Sequence, residues 1–368
     1  MKVASLLIAI FTLSLLLIPM MALGFDPAPQ SSPALDTPGA PAVSQAPRES
    51  DSRRGLEVAE PVAEEPSDVA SGLSANGVSS FLILDESTGE VVEVPLRDFV
   101  RGAVAAEMPV SFHPEALKAQ AVAAHTFALH NHYVQQQNPD PGLKGADFAA
   151  DPSHMLVYIT EETAREFYGD EADLYWGKIC DAADSVLCYV MEYGDEPIVA
   201  AYHAISAGQT EDASNVWSGS APYLQSAASF GDYLAPDYET VVLLSGTAVE
   251  NALRTAYPDA ELPGDPAQWF ADIERSDAGY VTGISIGGVL VHGKDIRTLF
   301  DLRSHNIDIE YQEQADRFAF YVYGYGHGVG LSQYGADFLA RQGAAFDEIL
   351  RSYYAGVSLR EIPPELTQ

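Results

Sequence analysis

The chain has 368 residues, and 53 acidic residues against 19 basic ones leave a formal charge of −34. That balance excludes nucleic acid, whose phosphates require Lys and Arg, and argues against adhesion to anionic membranes or anionic wall polymers. With 47% hydrophobic residues, including 15 Phe, 19 Tyr and 3 Trp, the chain can bury the core of one large domain or two, and a neutral or mildly anionic polymer held in a local groove is compatible with its charge.

Residues 1–24 form an apolar run after Lys2, interrupted by Pro19 and long enough to span a bilayer. The run reads as an export signal, either an uncleaved membrane anchor or a cleaved signal peptide, with the rest of the chain outside the membrane or secreted to the cell wall. Residues 25–78 are rich in Pro, Ala, Ser and Glu, hold eight of the 23 prolines and show no hydrophobic periodicity. Such a segment cannot bury enough apolar surface to fold and reads as a disordered, extended tether. The folded part is expected over 79–368.

It opens with Phe81 to Leu84 and Val91 to Val94, two strands of a hairpin around the turn Ser87-Thr88-Gly89. Leu96, Phe99, Val100, Ala103, Val104 and Ala106 then recur at helical spacing and lead into Glu107, where Met108-Pro109 ends the helix. A glutamate in a last helical turn meets the negative end of the helix dipole. If it is also buried, its pKa rises towards that of a useful general acid.

Pro114 and Glu115 suit the first turn of a second helix. On it Lys118, Val122, His125, Leu129 and His132 share one stripe, so that Lys118 and His125 face the same space, with Gln120 on another side. The loop from Asn138 to Ser153 is rich in Pro, Gly and Asp. Helical patterning follows from Glu161 to Cys180, then strands from Val186 to Tyr193 and Ile198 to His203 about the turn Gly194-Asp195. Cys180 and Cys188 are the two cysteines; in an exported chain such a pair reads equally as a disulfide or as two buried thiols.

The stretch from Tyr202 to Thr210 offers hydroxyls and a Gly turn suited to sugar hydroxyls, through Tyr202, His203, Ser206, Gly208 and Thr210. Beyond it the pattern gives a helix from Val249 to Ala256, strands from Val281 to Ile286 and Val289 to His292, a helix from Gly293 to Phe300 and a strand from Phe318 to Tyr323. Alternating glycines from Gly324 to Gly330 then pin His327 in a loop, with Ser332, Gln333 and Tyr334 as polar contacts after it. The spacing fits neither a P-loop nor a dinucleotide fingerprint. A helix from Asp337 to Tyr354 closes the chain.

Three stretches in order, V-x-x-E-M-P followed by EALKAQAVAAHTFAL, then AYHAISAGQTEDASNVWSGSAPYL, then GYGHGVGLSQYGA, resemble the stage II sporulation protein D family of peptidoglycan lytic transglycosylases and amidase enhancers. The resemblance spans roughly Ser79 to the C-terminus. It implies an α+β catalytic domain of mixed helices and antiparallel strands, with two lobes around a glycan-binding groove. Glu107 stands at the family's catalytic glutamate. Lys118, Gln120, His125, Tyr202, Ser206, Thr210, His327, Ser332, Gln333 and Tyr334 fall at positions near the groove, with His125 where the motif usually reads Arg. Some family members bind zinc through two cysteines around a histidine. Ala149 and Met155 take those places here beside His154, so no metal and no cofactor is expected.

The implied activity is cleavage of peptide-stripped glycan strands with 1,6-anhydro ends, with peptidoglycan, a cell-wall amidase and other sporulation membrane proteins as partners. The alternative is a non-catalytic, glycan-binding enhancer of an amidase. A third reading, an inverting hydrolase, takes Glu211 or Asp212 as its base.

Overall fold

A computed structural model describes residues 78–152, 157–217 and 221–363; residues 1–24, nearly all of the tether, and His154 and Met155 lie outside the described residues. The hairpin forms as β1 (Ser80–Asp85) and β2 (Glu90–Pro95), and β3 (Phe148–Ala150), which carries Ala149, adds in parallel on the other side of β1. Helix α1 (Leu96–Glu107) buries Leu96, Phe99, Val100, Ala103 and Val104, five of the six residues whose spacing predicts it. Helix α2 (Pro114–Gln137) starts on a cap in which the His113 ring accepts the Glu115 N–H, with Pro114 at its first position. Its first four turns bury nearly all round, because Ala at 116, 119, 121, 123 and 124 lets neighbours approach closely.

Helices α3 (Glu161–Tyr168) and α4 (Ala172–Val186) follow, then β4 (Tyr189–Tyr193), which pairs with β5 (Glu196–Pro197) about the turn at Gly194. The strand expected from Val186 starts only at Tyr189, since α4 runs on through Val186 with Ala182, Ala183 and Val186 buried. The strand expected from Ile198 to His203 is also shorter: β6 is Tyr202–His203, and Ile198, Ala200 and Ala201 are buried without a ladder. Cys180 and Cys188 are free thiols, each pushed above its ordinary pKa by burial.

The second half begins with β7 (Glu239–Ser245) and α5 (Gly246–Ala256). Strands β8 (Phe270–Arg275), β9 (Val281–Ile286) and β10 (Val289–Val291) form one antiparallel sheet with β9 central. Helix α6 (Gly293–Leu299) leads to β11 (Ile307–Gln312) and β12 (Arg317–Tyr323), and β12 lies between β11 and β7. Last come β13 (Leu331–Ser332), α7 (Gln333–Arg341), α8 (Phe346–Tyr353) and β14 (Ser358–Glu361), the last pairing with β4. The single helix expected from Asp337 to Tyr354 is therefore two, broken where Gly343 turns at φ +101°.

The fold is α+β. One hydrophobic core gathers β1, α1, α2, α4, α7 and α8; a separate one gathers α5, α6 and the strands β9 to β12. The link that matters for the site is short. β13 pairs in parallel with β6, Leu331 opposite Tyr202 and Ser332 opposite His203, which joins the second and third sequence stretches edge to edge. Gly330, at φ +73°, makes that pairing possible, because a Cβ there would lie 2.1 Å from the Ala201 carbonyl oxygen.

Candidate active site

Glu107 is the last residue of α1, and Met108 beyond it is extended, as a residue before proline must be. The residue keeps partial exposure while neighbours enclose its carboxyl. Burial raises its pKa from 4.5 to about 7, and a hydrogen bond from Gln333 pulls the other way. Gln333 Nε2 donates to Glu107 Oε2 at 3.3 Å and reaches Gln120 Oε1 at 3.5 Å. Gln120 is fully buried, with its side chain also beside the Tyr202 hydroxyl.

The fourth member is Tyr202 on β6. Burial, then the nearby Glu107 carboxyl, hold its hydroxyl well above the ordinary tyrosine range, so it stays protonated. Glu107, Gln120, Tyr202 and Gln333 thus meet from α1, α2, β6 and the first residue of α7. A carboxyl that is half protonated near neutral pH, surrounded by neutral amides and a phenol, can both give and take a proton.

Next to this group lies an aromatic one. The His327 ring sits 5.0 Å from Trp217 and 5.7 Å from His203, centroid to centroid. His327 Nδ1 accepts the Val329 N–H at 3.1 Å, while the Val329 carbonyl accepts from His203 Nδ1, also at 3.1 Å. The backbone of one residue, Val329, thereby sets both tautomers. Burial lowers His203 to a pKa of about 4 and His327 well below its ordinary value, so both rings are neutral. Tyr334, partly exposed, meets Phe112 edge-on at 4.9 Å.

Other residues expected to touch substrate are occupied within the fold. Ser206 and Ser332 are fully buried and both donate to Asp232, through Oγ at 2.5 and 2.7 Å, with the Ser206 N–H adding a third bond at 2.9 Å. Thr210 is also buried and accepts the Ala227 N–H. Lys118 is partly exposed and pairs with Glu115 at 2.7 Å. His125, on the same stripe, is 1% exposed in the core with the backbone of Leu187 and Tyr189 beside it, and burial lowers its pKa to about 4. The two therefore do not face one space, since seven residues of helix carry the stripe from partly exposed surface into the core. Glu211 is 1% exposed and accepts from the Asp212 N–H, Asn215 and Ser276, while Asp212 caps the turn at Ser214. Both Glu211 oxygens are thus engaged and shielded from solvent.

Sequence reading misses Asp232, which carries no motif, and passes over Trp217, whose place inside the second stretch is the signal that could have found it.

A family model described as "Stage II sporulation protein" (SpoIID) matches residues 85–193, which hold Glu107 and Gln120. Stage II sporulation protein D of Bacillus subtilis (strain 168) is 31% identical over 271 residues, 74% of this chain and 76% of that protein. The chain belongs to the stage II sporulation protein D family. The protein of that name from Bacillus amyloliquefaciens is 32% identical over 275 residues, 75% of this chain and 77% of its own length. A more distant relative, the amidase enhancer of Bacillus subtilis, is 23% identical over 317 residues, 71% of this chain and 40% of the enhancer. In this stage II sporulation protein D family member the matched segment supplies Glu107 and Gln120, and the later stretches supply Tyr202 and Gln333.

Proposed function

We propose that this protein is a lytic transglycosylase of peptidoglycan glycan strands, acting outside the cell membrane in sporulation. The observation that carries the reading is the enclosure of the Glu107 carboxyl, which burial pushes up to about 7, among the neutral side chains of Gln333, Gln120 and Tyr202. Protonated, it gives its proton to the glycosidic oxygen between N-acetylmuramic acid and N-acetylglucosamine as the bond from C1 breaks. As carboxylate, it takes the proton of the C6 hydroxyl while O6 bonds to C1, closing a 1,6-anhydro ring. One residue in two states serves both halves. The burial of Glu211, with both its oxygens already bonded, favours this route over hydrolysis with Glu211 as base. Glycan already stripped of peptide, supplied by a cell-wall amidase, is the proposed substrate, and residues 1–24 the proposed membrane anchor.

The relation to the amidase enhancer favours a second reading, in which the chain grips glycan and assists an amidase without cutting. Digestion of purified, peptide-free glycan separates the readings. Anhydro ends that fall at least ~10²-fold in rate in Glu107→Gln, with binding retained, support the transglycosylase. Reducing ends would mean a hydrolase, and binding without cleavage an enhancer.

A further inference from the structure

Gln333 is 5% exposed and Gln120 fully buried, which suits neither amide to a sugar hydroxyl and suits both to holding something inside the protein. The Gln333 amide nitrogen has two hydrogens and two acceptors before it, Glu107 Oε2 at 3.3 Å and Gln120 Oε1 at 3.5 Å. Its place is set from behind, because Ser332 caps α7 by accepting the Gly335 N–H and anchors to Asp232. Among the described residues the titratable group beside Glu107 is Tyr202, whose hydroxyl is neutral.

An N–H can approach only an oxygen that offers a lone pair in its direction. A carboxyl proton on Oε2 pointing at the Gln333 amide would set donor against donor.

We infer that Gln333 is a positioning residue for Glu107, itself held by Gln120, and that it divides the two carboxyl oxygens by role: Oε2 accepts the Gln333 N–H throughout, and Oε1 carries the proton. This rests on the catalytic role proposed for Glu107. Oε1–H donates to the glycosidic oxygen as the C1–O bond breaks, and the leaving sugar departs as an alcohol. Oε1, now part of a carboxylate, takes the C6 hydroxyl proton as the O6–C1 bond forms, and the starting carboxyl is restored. Between those events the Gln333 bond is charge-assisted and stabilises the carboxylate. It also opposes the effect of burial, so the acid remains able to ionise.

The test is Gln333→Met, similar in shape but without the donor, read in two ways. The first is carboxyl ¹³C NMR of glutamate-labelled full-length protein, with the Glu107 signal identified by its loss in Glu107→Gln. Glu107 is expected to titrate at higher pH in Gln333→Met than in wild type. The second is steady-state cleavage of peptide-free glycan near neutral pH, where kcat is expected to fall on the order of 10-fold with KM unchanged. Gln120→Met should shift both readouts the same way and less, and it carries the test if Gln333→Met does not fold. An unmoved Glu107 titration, or a raised KM at wild-type kcat, would overturn the inference and return Gln333 to the role of a sugar contact. The titration needs no activity, so a Glu107→Gln protein that still cuts glycan would sink the proposed function while the NMR arm still reads the contact.

Discussion

Asp337 on α7 accepts the backbone N–H of His113 at 2.7 Å, across 224 residues of chain. His113 caps α2 and ends the segment by which the chain leaves Glu107. Lys178 on α4 donates to the Val110 and Phe112 carbonyls, both at 2.6 Å, and Arg341 donates to the Ser111 carbonyl at 3.1 Å. The exit from the acid is thus tied to α4 and α7, and α7 also presents Gln333 to the acid. Asp337→Ala should cost roughly 1 kcal/mol of stability, since the exposed pair with Arg341 contributes little. It should lower glycan cleavage more than that loss explains, on the order of 10-fold, because the carboxyl is no longer held in place. Thermal unfolding and rate measured side by side decide this; a variant with the wild-type rate would show the tie to be dispensable.

Glu107 should make stability depend on pH in the direction opposite to a salt-bridged carboxylate. Its folded pKa, about 7, lies above its ordinary 4.5. Between those values the native state binds more protons than the unfolded state, so stability falls as pH rises through this window. The carboxyl costs the fold nothing below about 4.5 and on the order of 2 kcal/mol above about 7, after allowing for its partial exposure. Glu107→Gln should therefore be more stable than wild type at pH 8 and equal to it at pH 4. Denaturant unfolding at the two pH values measures the difference, and an equal gap at both would contradict the assignment.

Ser206 and Ser332 should behave as structural residues. Removing Ser206 Oγ by Ser206→Ala should cost about 1 kcal/mol and leave KM for glycan unchanged. Asp232→Ala strands two hydroxyls and an N–H in a buried space and should cost about 3 kcal/mol. Chemical denaturation gives the stabilities; a raised KM with unchanged stability in Ser206→Ala would restore its role as a sugar contact.

Gly330→Ala should be among the most damaging single-methyl additions. The new Cβ meets the Ala201 carbonyl in a backbone region that favours glycine. The expected cost is about 2–4 kcal/mol, with loss of the β6–β13 pairing. A fall in melting temperature and faster exchange of the Leu331 N–H, which donates to Ala201 at 3.1 Å, would report it.

The helix that carries Glu107 is legible in the sequence because its apolar residues repeat at helical spacing and a proline marks its end, and both signals are local. The hairpin before it and the start of α2 at Pro114 are legible for the same reason. What sits beside Glu107 is only partly so. Gln333 and Tyr202 lie in stretches whose family resemblance flags them, but that Gln333 turns inward to a carboxyl rather than outward to sugar depends on how α7 docks. Ser206 misleads because a hydroxyl in a Gly turn reads as a ligand, whereas its true partner, Asp232, stands 26 residues on with no pattern around it. His125 misleads because a stripe of spacing three, four and seven gives direction and not depth. The break between α7 and α8 hangs on one residue, Gly343, within otherwise helical periodicity.

The bond from Gln333 to Glu107 joins residues 226 apart, and β6 meets β13 where Tyr202 lies opposite Leu331, also far along the chain. Contacts so distant close late, after the entropy of the intervening loop has been overcome. Until they close, Glu107 is an ordinary glutamate, ionised at neutral pH and unable to protonate an ether oxygen. For the proposed activity, folding is then the activation step. An unfolded or misfolded chain has no acid with which to cut.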